Sequence, residues 1–302
     1  MTTTSVITVD RFSTEASALR AHFDERFAEP RSTARGRFVW DWWHVPSQYT
    51  LLRTPAWEYF PTKIYRTFHE RLVWWGRRTL GCHDVSPPWL SLYVDGCRQE
   101  FHADRPHGPF AFVFSLTRWA QRNFRGGETL LMKEPTLSYW SRRPSRKDTE
   151  EKALFRALPP VFNRLTLFDP RLPHAVRRVE GPLDPRQGRL VIHGWFAQPR
   201  PFVEGPLPTS ALAERLGDLT LSLRPLLAGM TSVEGIVSVR ARVGLHGRCD
   251  QVRVLANTLR SQDRESSAPR RVEAAIGRGM GAWRFSRQRK PSWLTVPFVF
   301  ER

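Results

Sequence analysis

The order of apolar and polar residues divides the chain into a helical start, a long run of short strands and a mixed tail. Ala18, Leu19, Phe23 and Phe27 recur at helical spacing, with Ser13 placed to cap them, so residues 13–28 predict a first helix. Residues 36–60 hold Phe38, Trp40, Trp42, Trp43, Trp57 and Phe60 without a clean period, which fits core-packing loops and short strands. A long helix is expected from Pro61, a good first-turn residue, to Leu80, with Gly81 as its stop.

From Pro88 the pattern changes to strands. Trp89–Val94, an Asp95-Gly96 turn and Arg98–Asp104 predict a hairpin. Phe110–Thr117, Glu128–Lys133, Arg164–Phe168, His174–Val179 and Arg189–Phe196 predict further strands. Residues 134–160 are polar and basic, with a short helix expected near Asp148–Ala157, and read as an insertion or lid. So many short strands argue for a mostly β sandwich or barrel with helices packed outside. Residues 197–209 contain four prolines and read as a linker. Beyond it, helices at Leu219–Ala228 and Val272–Trp283 alternate with strands at Gly235–Val243, Gln251–Leu255 and Ser292–Phe300. The expected organisation is therefore a domain over 1–200, a linker over 201–210 and a small α+β domain over 211–302.

Composition narrows this picture. At 302 residues and 40% hydrophobic, the chain can bury a real core. Twelve Trp and nineteen Phe suggest a deep apolar interior or an aromatic-lined pocket. The formal charge of +18 would attract acidic partners. Lys occurs only five times, however, so an arginine bias from genome composition is the reading preferred over an acidic partner. The basic residues are spread over the chain and form no concentrated nucleic-acid footprint. Cys82, Cys97 and Cys249 make no C-x-x-C pair, which speaks against a disulfide framework or zinc knuckle. No basic-then-apolar leader opens the chain and no apolar run reaches membrane length, so no span and a cytoplasmic location are expected.

The chemistry sits in Glu100-Phe101-His102-Ala103-Asp104. On a strand, residues i and i+2 share a face, so His102 and Asp104 can reach one ion. His174 follows between later strands. Two histidines and one carboxylate on one face form the facial triad that leaves three iron positions open. By itself H-x-D is a weak signal; its place at a strand end, with a later His, gives it weight. Arg189 opens a strand, where it reads either as a surface Arg or as a buried guanidinium that needs an anion and suits a carboxylate in its plane. His107 reads as a rim residue. Asp169 reads as either a neighbour supporting His174 or a turn former. Arg118, Arg122 and Arg125, with Arg142, Arg143 and Arg146, read as either a basic entrance for an acidic substrate or a solvated surface.

The ordered set Tyr93, His102-x-Asp104, Gly126-Gly127-Glu128-Thr129, His174 and Arg189 with Trp195 six residues on resembles the prolyl-hydroxylase-like branch of the 2-oxoglutarate/Fe(II) oxygenases over residues 85–200. The resemblance implies a double-stranded β-helix (a cupin-like jelly roll) with flanking helices. It implies Fe(II), 2-oxoglutarate and O2 as the cofactor set, with ascorbate as an accessory, and a hydroxylase that releases succinate and CO2. It makes His102, Asp104 and His174 the iron ligands and Arg189 the partner of the distal carboxylate. Tyr93 becomes a second cosubstrate contact. His193 and Trp195 share Arg189's inward face; relatives often carry Ser or Thr where His193 stands, so it either contacts cosubstrate or fills the core. Trp195 stands where the nucleic-acid demethylases carry a second Arg, which disfavours a nucleic-acid substrate. An intact Asp104 favours hydroxylation or desaturation over halogenation. The substrate expected is a peptide, a protein side chain or an amino-acid-like small molecule.

Residues 211–302 resemble the C-terminal domains of TonB-like energy transducers and gliding-motility proteins. Gly235-Ile236-Val237-Ser238-Val239, Gly247-Arg248-Cys249, Trp283-Arg284-Phe285 and Pro297-Phe298-Val299-Phe300 carry that likeness. It implies an accessory module that binds a partner protein, with Trp283, Phe285, Phe298 and Phe300 as core. A non-catalytic interaction protein working through this module is the alternative to an enzyme, and an oxygenase acting on nucleic acid is a third reading.

Overall fold

The computed structural model describes residues 5–29, 31, 39–105, 107–133, 154–228, 233–261 and 267–301. In chain order the first elements are β1 (Val6–Val9), α1 (Ala16–Arg26), β2 (Asp41–Val45), β3 (Tyr49–Pro55), α2 (Ala56–Tyr59), α3 (Thr62–Thr79) and β4 (Cys82–Val85). Then come β5 (Trp89–Tyr93), β6 (Arg98–His102), β7 (Phe110–Ser115), β8 (Thr129–Met132), β9 (Phe155–Leu158), β10 (Leu165–Phe168), β11 (His174–Val176) and β12 (Arg189–Pro199). The chain ends with β13 (Phe202–Glu204), α4 (Thr209–Ala228), β14 (Val233–Val243), β15 (Cys249–Asn257), β16 (Arg260–Ser261), α5 (Ala268–Ala282) and β17 (Ser292–Phe300).

Two compact units emerge. One takes Val6–Arg71 and Val85–Trp195; the other takes Leu72–Asp84 and the chain from Phe196 on. In the first, the strands run β1-β10-β7-β12-β5-β3-β6-β11-β8-β9, with β2 beside β3. The pairs β3–β5, β5–β12, β6–β11 and β8–β11 are antiparallel. Residues from β3 through β12 in this order, on both sides of the run, line one cavity, so the sheet is curled around it. This is the mostly β, curled antiparallel architecture that the strand pattern predicts. Leu90, Leu92, Phe112, Phe114, Leu165, Leu167 and Ile192 are buried in its core. Leu19 and Phe23 of α1 are buried at helical spacing, and Phe68 of α3 meets Phe114 with ring centroids 4.7 Å apart. Ser13 lies before α1, and its hydroxyl accepts the Glu15 N–H. Gly81, with φ of 71°, follows α3 as its stop.

Two local expectations fail. Of the helix expected near Asp148–Ala157, residues 148–153 lie outside the described residues, and Phe155–Leu158 is strand β9, paired along its length with β8. Neighbouring strand edge outweighs local propensity there. The stretch expected as a linker, 201–210, supplies β13, which pairs with β17 at the edge of the second sheet. Its prolines read as a tether, but they flank β13 and leave Phe202–Glu204 free to pair. Glu204 on β13 is held by Arg78 and Arg240.

The second unit packs α4 and α5 on the sheet β13-β17-β14-β15. Leu212, Leu219 and Leu223 of α4 and Val272, Ile276 and Met280 of α5 meet Val237, Val239 and Ala241 of β14 in one core. Helix α4 is longer than the predicted Leu219–Ala228, starting at Thr209. Trp283 is buried, and Phe285, Phe298 and Phe300 pack against the same core, as expected. All three cysteines are buried free thiols. No helix among the described residues is long and apolar enough to cross a membrane.

Candidate active site

His102 ends β6 and faces His174, the first residue of β11, across a paired position. Asp104 lies just beyond the strand end, where its N–H donates to the Pro170 carbonyl at 2.8 Å. That bond brings its carboxylate to 3.6 Å from His102 Nε2 and 3.3 Å from His174 Nε2. Ligand atoms of the three residues all lie within 4.8 Å of one another. Each imidazole is oriented from behind. His102 Nδ1 is 2.9 Å from the Glu100 carbonyl, and His174 Nδ1 is 2.9 Å from the Leu172 carbonyl. A carbonyl only accepts, so both Nδ1 atoms carry the proton and both Nε2 atoms are acceptors near the carboxylate, with the Gln99 amide also 3.1 Å from that of His102. Three electron-rich atoms converge there, an arrangement that a cation or an added proton would relieve.

The electrostatics agree. Burial, with His174 close by, lowers the pKa of His102 below the ordinary histidine value. Burial alone would raise Asp104, but the bond to His174 and the neighbouring rings outweigh it and hold the carboxyl below the usual carboxylate range. Asp169, read as a turn former or as support for His174, is the turn former. Its carboxylate takes the Arg171 N–H and guanidinium, and its carbonyl accepts the Leu172 N–H. The turn in turn supplies the carbonyl that orients His174.

Arg189 begins β12 directly opposite Tyr93 of β5. Its side chain is 1% exposed, and its guanidinium lies 4.5 Å over the Tyr93 ring. Nη2 donates to Thr129 Oγ1 at 3.2 Å, while among the described residues Nε and Nη1 have no hydrogen-bond partner of good geometry. Buried guanidinium donors are almost always satisfied, so two idle ones in a cavity wall leave room for an anion to pair with them. Burial pushes this guanidinium's pKa down, and burial pushes the Tyr93 phenol's up against the pull of Arg189.

The Gly126-Gly127 pair shapes the approach to Arg189. Both residues have positive φ, 73° and 81°. A Cβ on Gly127 would touch Phe124 and the Arg189 Cδ, at 3.0 and 3.4 Å, and one on Gly126 would fall 1.8 Å from the Arg178 carbonyl oxygen. Gly126→Ala is therefore expected to destabilise the fold by about 3 kcal/mol or more, from left-handed strain and a backbone clash. Gly217→Ala, with nothing within 4 Å on α4, is expected to stabilise it slightly. Denaturant midpoints check both, and a neutral Gly126→Ala would refute the clash.

His193 and Trp195 line the same cavity of about 380 Å³ as the triad and Arg189. His193 Nε2 sits 2.8 Å from Ser91 Oγ, and burial beside Arg189 lowers its pKa to about 4, so the ring is neutral. Trp195 packs on His107 at 4.4 Å, which places His107 at the cavity wall. The basic entrance does not form from Arg118, Arg122 and Arg125: Arg118 pairs with Asp24, Arg122 lies over Trp119, and none of the three lines the cavity. Arg142, Arg143 and Arg146 lie outside the described residues.

No family model matches the chain, and no curated protein does. Solved structures do align with it. A prolyl-4-hydroxylase from Pseudomonas putida is 18% identical, with a TM-score of 0.40, covering 64% of this chain and 92% of its own. The viral collagen prolyl hydroxylase of Paramecium Bursaria Chlorella virus-1, in a 2-oxoglutarate complex, is 12% identical with a TM-score of 0.39, covering 63% and 94%. A 2OG-Fe(II) oxygenase family oxidoreductase from Burkholderia pseudomallei is 14% identical with a TM-score of 0.37, covering 63% and 83%. These likenesses are loose, and the chemistry is read from the side chains themselves.

Several cavity residues carry no mark in the sequence. Thr129 belongs to the glycine-led string, but only the fold pairs it with Arg189. Gln99, 3.1 Å from His102 Nε2 and 3.4 Å from the Tyr93 hydroxyl, enters through an irregular register between β6 and β11 that alternation does not foretell. Trp43 and Arg53 come from the stretch without a period.

Proposed function

We propose that this chain is an Fe(II)- and 2-oxoglutarate-dependent oxygenase that hydroxylates a C–H bond of a peptide, a protein side chain or an amino-acid-like molecule. The observation that carries this reading is the buried, unsatisfied Arg189 fork in the same cavity as the His102–Asp104–His174 convergence. A metal alone would explain the triad. The idle guanidinium calls for a carboxylate as well, and a 2-oxo dicarboxylate satisfies both.

His102, Asp104 and His174 would hold the ion through two Nε2 atoms and one carboxylate oxygen, leaving three positions open. The bound ion and cosubstrate would supply O2 activation, with one oxygen atom going to succinate as CO2 leaves and the other to the substrate C–H. The chain's own residues do the positioning. Arg189 takes the distal carboxylate in its plane, Thr129 fixes one of its nitrogens, and the Tyr93 ring supports its face. Neutral His193, tied to Ser91, adds no second charge beside it. The second unit is read, on its sequence likeness to transducer C-terminal domains, as an accessory module for a partner protein.

Anaerobic loading with Fe(II) followed by air and carbon-labelled 2-oxoglutarate is expected to yield labelled succinate, slowly without substrate and faster with it. Absence of both succinate and 2-oxoglutarate binding in the Fe(II)-loaded protein would remove this reading.

A further inference from the structure

Arg53 is the cavity's second arginine, and the reaction as proposed leaves it without a role. It sits on β3 between β2 and β5, and both neighbours send an indole to it. Its guanidinium carbon is 3.1 Å from the Trp43 ring centroid and 4.4 Å from that of Trp89. Trp43 and Trp89 line the cavity as well. Among the described residues the buried Nε has no hydrogen-bond partner within bonding distance, and it makes a long ion pair of 3.6 Å with Asp41, whose side chain is 61% exposed. Indoles against the guanidinium satisfy its faces but not its N–H groups, which can be satisfied only in the plane.

Charge points the same way. Among the described residues Asp104 is the only carboxylate in the cavity wall, beside Arg189 and Arg53. A divalent ion, Asp104, a dianionic cosubstrate and Arg189 sum to zero. Arg53 pairs with Asp41, which is exposed and does not line the cavity, so from the cavity side its guanidinium is open to a substrate carboxylate.

Resting on the oxygenase reading above, we propose that Arg53, held by Trp43 and Trp89, recognises a free carboxylate on the molecule that is oxidised. The substrate class is then an amino-acid-like acid, or a chain end or acidic side chain, and not a neutral mid-chain peptide segment. Arg53 is a specificity residue, and its planar fork is what the two indoles preserve.

The test uses the full chain loaded with Zn(II), which fills the metal position without redox chemistry, and 2-oxoglutarate. Ligand-observed NMR then compares N-acetyl amino acids with their neutral amides. N-acetyl aspartate and glutamate amides serve as side-chain carboxylates, and inorganic phosphate as a competing anion. Acids are expected to bind about tenfold or more tighter than matching amides, the advantage of a charge-assisted pair. Arg53→Gln should erase that preference while leaving 2-oxoglutarate affinity unchanged, which also reports an intact cavity. Arg53→Lys should keep only part of it. Preference for the side-chain acids would support the proposal and place the carboxylate on an acidic residue. Amides binding as well as acids, no probe binding, a preference that survives Arg53→Gln, or phosphate displacing the acids would each overturn it. Failure of 2-oxoglutarate to bind wild type would instead sink the oxygenase reading, and an Arg53-dependent acid preference would survive it.

Discussion

Replacing Arg189 with methionine should weaken 2-oxoglutarate binding by about 100-fold or more and, in the metal-free protein, raise stability by about 1–3 kcal/mol. The two effects have opposite signs for one reason. Arg189 is 1% exposed, with one side-chain hydrogen bond and two donors left idle. Without an anion, its charge is met only by the Tyr93 ring and by Glu128 at a distance among the described residues, so folding bears most of the desolvation of a guanidinium. Methionine keeps much of the length and apolar bulk and brings no charge. Once a carboxylate must be bound, that same charge is the site's main attraction, and losing it removes a bidentate pair in a place closed to water. Calorimetric titration with 2-oxoglutarate and denaturant unfolding of the metal-free protein give both numbers. A variant that binds 2-oxoglutarate as wild type, or that unfolds several kcal/mol more easily, would make Arg189 a structural post.

Much of this site was legible because its residues lie in short local patterns. Alternation placed His102 and Asp104 on one side of a strand end, and the structure adds that Asp104 is past the strand and pinned by Pro170. Alternation along β12 likewise placed Arg189, His193 and Trp195 on the cavity face. Illegible were the pairings between distant strands. Tyr93 opposite Arg189, and His102 opposite His174, depend on register between segments far apart in sequence, which no local period encodes. His193 is placed by the same kind of fact, since its partner Ser91 sits on another strand.

Where the pattern misled, tertiary context had reversed a local signal. The aromatic stretch around β2 and β3 looked like core filling, yet Trp42 is 57% exposed and Trp43 lines the cavity. Polar, basic residues suggested a helix where β9 completes a sheet edge beside β8. Proline spacing suggested a tether where β13 pairs with β17. The arginines grouped in sequence, Arg118, Arg122 and Arg125, stay out of the cavity, whereas the isolated Arg53 lines it. Charge counted along the chain says little about charge gathered by the fold.

Asp104→Ala should weaken metal binding by about 100-fold or more and take succinate formation below detection, since even residues that only orient metal ligands are worth 10–100-fold. Both imidazoles are fixed before any ion arrives, with Nδ1 committed to the Glu100 and Leu172 carbonyls. The protein therefore bears the repulsion of three converging electron-rich atoms in advance, and an ion relieves it. Metal at about 100 times its Kd should then stabilise wild type by about 2.7 kcal/mol, and the same concentration should leave Asp104→Ala and His174→Ala nearly unmoved. Acid should weaken binding as protons compete for Nε2, and burial of His102 moves its part of that competition below the ordinary histidine range. Co(II) is a suitable probe, because its visible spectrum reports two nitrogens and a carboxylate without turnover. Thermal melts with and without Co(II) report the linkage. If Asp104→Ala gives the wild-type spectrum and the wild-type melting shift, Asp104 is not a ligand, and its depressed pKa reflects only its histidine neighbours.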